Sequence, residues 1–372
     1  MENNHLTYFK VENFKKFDVL EVYDIGQFNL IVGDNNVGKT CLLEALLFDE
    51  DNLKWAHNIH QTLYLRGVYL TASVLNNTTL EYPDNGYFKY ILQHIEKPLK
   101  VEYTSNLIKN RILEIIYVRN RDLIDDDLLA RKDNFKFNKI EHWLKFYKDS
   151  LYDELQLMFL DDISLDDFYF PFIQFNLSYS NDVEDFINQL EKIREDSNRK
   201  LDNFTYNHKL ELIKILNAIF NLDIIDYKSS SIKDNDFGMI SIATVSNSSY
   251  IPITQLGDGF NKIFRYIVEI MYVKEKGQSR IMIDEIDTGI HYSKLKSFWF
   301  NIMKVCKDLE VQLFATTHSK DCIKAFISAQ QEIKEVSIRL IKLKETKEKN
   351  VKAICYKEDY LEYILESNTE ER

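Results

Sequence analysis

The chain has 372 residues, 45% hydrophobic and 28% charged, which suits a globular protein with a sizeable core and excludes disordered, collagen-like and disulfide-scaffold classes. A formal net charge of -12 repels phosphate backbones and disfavours general nucleic-acid coating. No apolar run approaches the roughly 18 residues of a membrane span, the polar Met1–Lys10 lacks a signal peptide's apolar stretch, and Cys41, Cys306, Cys322 and Cys355 lie far apart, so a reducing cytoplasmic setting is expected.

Tyr8–Val11, Val19–Val22 and Phe28–Val32 read as strands, and Leu42, Leu43, Leu46 and Leu47 mark a helix over Lys39–Phe48. Residues 98–104 and 111–118 read as paired strands. From 120 to 222 the pattern is mostly helical. Within it, residues 121–170 hold 13 acids and 7 bases, a solvated face rather than a DNA contact. Aromatics among those acids, such as Phe135, Trp143 and Phe146, are candidate partner anchors. Strands are expected at Ile224–Lys228, Met239–Val245 and Tyr250–Ile253, then a helix over Phe260–Lys274. A buried strand (Arg280–Ile283), a helix (Tyr292–Leu309), a second buried strand (Val311–Thr316) and a helix (Asp321–Gln331) follow. Val336–Leu343 and Val351–Tyr356 form a hairpin, and Glu358–Glu366 a last helix. The expected organisation is an α/β head in two halves, 1–119 and 223–372, around a mostly helical insertion at 120–222.

Glycine is scarce, 10 in all, and five fall at 33, 38, 257, 259 and 289. Gly33, Asp34, Asn35, Asn36, Val37, Gly38, Lys39 and Thr40 match the phosphate loop G-x-x-x-x-G-K-[ST] between a strand and a helix. Chance supplies only about 0.003 such matches at this glycine content. Backbone N–H groups of this loop, continuing to Cys41 on the helix, turn toward phosphate oxygens. Lys39 is expected to bridge the β- and γ-phosphates, and the Thr40 hydroxyl to ligate Mg²⁺. After the apolar strand Ile281–Ile283 come two carboxylates: Asp284 for the Mg²⁺ shell and Glu285 to activate or orient water. His318, at the end of the next buried strand, is placed to read a γ-phosphate. Leu256, Gly257, Asp258 and Gly259 open a helix with bare backbone, a second anion site in a chain that already has one. It suggests a site completed by another copy.

These residues, with Asn13-Phe14-Lys15, the stretch Ile283–His291 and Thr316–Ser319, resemble the ABC-like ATP-binding proteins of the OLD/RecF-like AAA group, often of abortive-infection or phage-defence type. The resemblance implies an ABC-type P-loop ATPase head, a mixed sheet flanked by helices with antiparallel elements. It implies ATP and Mg²⁺ as ligands. It also implies a homodimer or higher assembly that sandwiches each nucleotide between one copy's phosphate loop and the other's Leu256–Gly259, with Gly257 and Gly259 on the γ-phosphate in trans. Asp287 and Gly289 would lie in the stretch facing that interface. Tyr292 stands where the group usually has proline, and no Q-loop glutamine is identifiable. OLD nucleases carry a C-terminal Toprim domain; the 54 residues after His318 are too few for one. The effector, a nuclease or toxin, is therefore expected to be a separate protein, or the middle region itself.

The leading expectation is an ATP-driven switch that controls a partner, in antiviral defence. The alternatives are a DNA-clamping repair ATPase, which wants a basic face, and a transporter's nucleotide-binding subunit, which wants a serine-containing signature. A GTPase fits less well: Asn138-Lys139-Ile140-Glu141 and Asn261-Lys262-Ile263-Phe264 both lack the final Asp of N-K-x-D.

Overall fold

A computed structural model describes residues 4–64, 73–75, 79–81, 90–94, 96–118, 143–149, 151–152, 171–174, 201, 206–229, 240–246, 248–333, 336–358 and 360–361. The chain divides into two compact units. The first comprises residues 1–25, 33–170 and 341–355, the second 26–32, 171–340 and 356–372.

In the first unit, β1 (Leu6–Phe14), β2 (Phe17–Val22), β6 (Leu99–Ser105), β7 (Arg111–Val118), β8 (Trp143–Lys148) and β9 (Leu151–Tyr152) form a sheet in the order β2-β1-β6-β7-β8-β9. Every neighbouring pair is antiparallel. β6 alternates buried and half-buried residues along its length, the signature of a sheet with one face on a core. Against that face lie Phe9, Phe48 and Tyr103, with ring centroids 5.5 and 4.7 Å apart in turn. The unit also holds α1 (Lys39–Ala45), α2 (Asn52–Tyr64) and a small hairpin of β4 (Ser73–Leu75) and β5 (Thr79–Glu81).

The second unit is built on a parallel sheet. β3 (Phe28–Gly33), β10 (Phe172–Gln174), β14 (Arg280–Asp284) and β15 (Gln312–Thr316) run in the order β10-β14-β15-β3. β3, β14 and β15 are buried nearly end to end, as expected for strands covered on both faces. Helices among the described residues include α3 (Tyr206–Phe220), α4 (Asp258–Glu275), α5 (Leu295–Asp308) and α6 (Lys320–Gln330). α5 buries Leu295, Phe298, Trp299, Ile302, Met303 and Cys306, one stripe at helical spacing. Trp299 meets Phe326 of α6 edge-on at 4.8 Å. β11 (Ile224–Ser229), β12 (Ile240–Thr244) and β13 (Ile251–Pro252) form a separate antiparallel sheet. The chain passes between the units within β3 and again within β16 (Ile338–Glu345), which turns into β17 (Val351–Tyr356).

Most expected elements stand within a few residues of their sequence positions. Inside the range read as mostly helical, α3 is a helix, but β8, β9 and β10 are strands, which corrects that part of the reading. β8 has alternating Trp143, Lys145 and Tyr147 and pairs along β7, so sheet pairing overrides its local pattern. Phe146, a candidate partner anchor, is buried and packs at 6.1 Å from Trp55. Residues 119–142, 153–170, 175–200 and the end of the last helix lie outside the described residues. No described helix is long and apolar enough to cross a membrane.

Candidate nucleotide site

β3 delivers the chain into Gly33–Thr40, and α1 begins directly after it. Two glycines are dictated by geometry. Gly33 has φ 145°, and a side chain there would run into the Leu343 carbonyl. Gly38 has φ 109°, and an added Cβ would lie 2.9 Å from the Phe17 ring. Asn36 also takes a left-handed φ of 62°, which asparagine tolerates. Asp34, Asn35 and Asn36 are exposed, while Val37 and Gly38 are buried. Lys39 is only 6% exposed, and its Nζ donates to the Gly33 and Asp34 carbonyls at 2.8 and 2.9 Å. Its ammonium is thus drawn back over the loop. Thr40 and Cys41, in the first turn of α1, are half-buried.

The loop is braced from the β1–β2 turn. Lys15 pairs with Glu44 of α1 at 2.6 Å, both side chains nearly buried. Lys16 donates to the Asn36 carbonyl and lies 3.4 Å from Glu345. Asn13 donates to the His94 and Lys97 carbonyls at 2.9 and 2.7 Å. The β1–β2 turn is therefore tied to the loop through Lys16 and to α1 through Lys15.

In the second unit the carboxylates sit at the end of β14. Asp284 is 4% exposed and accepts from Thr316 Oγ1 at 2.5 Å. The same hydroxyl accepts the Glu285 N–H at 2.8 Å. Glu285 is half-buried with a left-handed φ of 49°. Such a conformation costs on the order of 1 kcal/mol or more, and Thr316 holds it in place. The loop then closes on itself: Thr288 N–H donates to the Glu285 carbonyl at 3.0 Å, and its hydroxyl to Glu285 Oε2 at 3.3 Å. Thr317 Oγ1 donates to Asp287 at 2.6 Å. Two consecutive threonines on β15 and just beyond it thus anchor Asp284 and Asp287. His318 follows them and is exposed, next to α6, which Ser319 caps by accepting the Cys322 N–H at 3.2 Å.

Leu256–Gly259 leads into α4. Gly257 has φ 91°, and an added Cβ at Gly257 or Gly259 would meet nothing within 4 Å. No side chain caps the helix. Leu256 is half-buried and Asp258 is the first residue of α4. The second unit thus groups Asp284, Glu285 and Asp287 with Thr316 and Thr317, which His318 follows in the chain, and ties this group to α4. The ties, Lys262 to the Thr288 carbonyl and Tyr266 to the Ile286 carbonyl at 3.1 Å, were not singled out in the sequence. Their signal was spacing: Lys262 lies one helical turn beyond Gly259, and Tyr266 one turn further. Burial lowers the Lys262 ammonium pKa to about 8, against the pull of Asp287 and Glu285.

The family described as "AAA domain, putative AbiEii toxin, Type IV TA system" matches residues 28–321, a span that runs from β3 through the start of α6. The chain belongs to this AAA family. It is a P-loop ATPase of mixed α/β fold. An "ATP/GTP phosphatase" from Helicobacter pylori is 22% identical to this ATPase over 336 residues, 84% of this chain and 85% of that protein. The SMC head domain from Thermotoga maritima covers 95% of the ATPase and 99% of its own chain, at 12% identity and a TM-score of 0.47. An Smc head with an extended coiled coil from Pyrococcus furiosus, bound to the C-terminal domain of ScpA, covers 98% and 99%, at 12% identity and 0.45.

Proposed function

We propose that this ATPase is a cytoplasmic molecular switch: two protomers associate through sandwiched ATP and regulate a separate effector protein, in antiviral defence. The observation that carries the association is Gly259. A glycine in a helix costs about 0.5–1 kcal/mol relative to alanine, yet nothing within 4 Å would obstruct a side chain there. Packing within the chain does not explain it; close approach of a phosphate from a second copy does. Gly257, with open surroundings at the same helix start, supports the same reading.

Within each protomer the phosphate loop holds the β- and γ-phosphates, with Lys39 exchanging loop carbonyls for phosphate oxygens. Thr40 and Asp284 offer a hydroxyl and a carboxylate, the oxygen donors that Mg²⁺ prefers. Mg²⁺ held by them would neutralise charge on the phosphates. Glu285 takes or directs the proton of the attacking water. His318 reads the γ-phosphate. The family's description names a toxin–antitoxin system, which supports a paired protein as the effector. The acidic region 121–170 favours a basic protein partner over DNA.

The test is light scattering of Glu285→Gln with Mg²⁺ and ATP, alone and combined with Gly259→Trp. Glu285→Gln is expected to bind ATP, hydrolyse little and double its mass; the added tryptophan should leave ATP binding intact and keep the protein monomeric. Normal assembly of the double variant would overturn the sandwich.

A further inference from the structure

We propose that Lys262 is a positioning residue for hydrolysis: from α4 it fixes the 285–289 loop and thereby the direction of the Glu285 carboxylate. The inference rests on the reading of Glu285 as the group that acts on water. Lys262 donates to the Thr288 carbonyl, and Thr288 in turn donates its hydroxyl to Glu285 Oε2 at 3.3 Å. One residue therefore stands between the lysine and the carboxylate. Tyr266, four residues on and so on the same face of α4, donates to the Ile286 carbonyl at 3.1 Å. The helix grips the loop at two alternate carbonyls. Between them lies Asp287, drawn the other way by Thr317 Oγ1 at 2.6 Å.

A lysine is a costly way to hold a carbonyl. Its burial opposes the charge, and the neighbouring Asp287 and Glu285 only partly offset that, which leaves its pKa at about 8. Two further titratable groups that feel Asp287 hold their protons near pH 8. Burial raises the Tyr266 phenol well above its ordinary value, and raises the Cys322 thiol, from α6, to about 12. The Tyr266 ring also lies 5.8 Å from the ammonium. The sign follows. Below pH 8 Lys262 is charged and makes a charge-assisted bond to Thr288. Above it the charge is lost, the grip weakens, and hydrolysis falls along an alkaline limb near pH 8.

The test uses the full chain with Mg²⁺ and ATP, with steady-state rates for wild type, Lys262→Met and Lys262→Arg from about pH 6.5 to 9.5. Lys262→Met is expected to lower kcat about tenfold with KM within about twofold, and to lose the limb near pH 8. Lys262→Arg keeps a charge that does not titrate, so it should restore most of kcat and move the limb upward. A methionine variant with wild-type kcat and pH profile overturns the inference, as does an arginine variant whose limb stays near pH 8. The arginine arm decides even where methionine unfolds the protein. Glu285→Gln separates the premises. If it hydrolyses like wild type, the reading of Glu285 fails; if it is inactive while the Lys262 variants are normal, only the present inference fails.

Discussion

Thr316→Val removes one hydroxyl and keeps the side chain's shape. That oxygen is buried, with the residue 1% exposed. It donates to Asp284 at 2.5 Å and accepts from the Glu285 N–H at 2.8 Å. A hydrogen bond to an ionised group contributes about 1.5–3 kcal/mol, and a buried donor left without a partner costs about 1–3 kcal/mol. The new methyl recovers at most about 1 kcal/mol. The net loss is about 1.5–5 kcal/mol, and it falls on the second unit. For a unit of this size each kcal/mol moves the thermal midpoint by about 2–4 °C, so even the smaller loss shifts it by about 3–6 °C. Circular dichroism on wild type, Thr316→Val and Thr316→Ser measures it, the serine variant keeping the hydroxyl and most of the stability. ATP turnover of the valine variant should fall with it, because Asp284 and Glu285 lose a common anchor. A valine midpoint within about 1 °C of wild type, with turnover unchanged, would refute the argument.

Lys39→Ala removes the ammonium that sits 2.8 Å from the Gly33 carbonyl; titration with a fluorescent ATP analogue should show nucleotide binding lost. Gly38→Ala forces an L side chain to a φ of 109° beside Phe17 and should cost about 1–3 kcal/mol in urea unfolding. Gly259→Ala meets open space and should gain about 0.5–1 kcal/mol in the same assay. A loss there would mean that the helix start is constrained within its own chain.

β3, β14 and β15 were legible because they are buried nearly end to end and read as apolar runs: Ile281–Ile283 and Leu313–Ala315 need no alternation to be recognised. The phosphate loop was legible because its glycines are forced by sterics. α2 was not. Its inward face carries His57, Asn58 and Thr62, all buried, and Asn58 spends its amide on the Leu47 carbonyl at 2.7 Å. Polar residues on the inner face erase the periodicity by which a helix is read. β8 and β10 were missed for a different reason: their partners, β7 and β14, are distant in sequence, and short strands gain their identity from pairing. At the site, the sequence marked the carboxylates and the histidine. It did not mark the hydroxyls of Thr316 and Thr288 or the Lys262 ammonium. The threonine hydroxyls meet carboxylates and an N–H brought to them by the fold, and Lys262 meets a carbonyl that accepts from any donor that reaches it, so no residue pattern records these contacts.

The parallel pairing of β3 with β15 sets a problem for a chain emerging from the ribosome. Phe28 lies opposite Leu313, roughly 285 residues later. At about 5–20 residues per second, β3 waits about 15–60 s for the neighbour that completes it. Its Phe28, Leu30, Ile31 and Val32 are all buried in the finished protein, so throughout that interval a short apolar strand is exposed beside the nascent phosphate loop. A strand of this kind is a template for pairing with other chains. The yield of folded ATPase should therefore depend on how fast it is translated and on holdase chaperones that cover β3 until β15 is made.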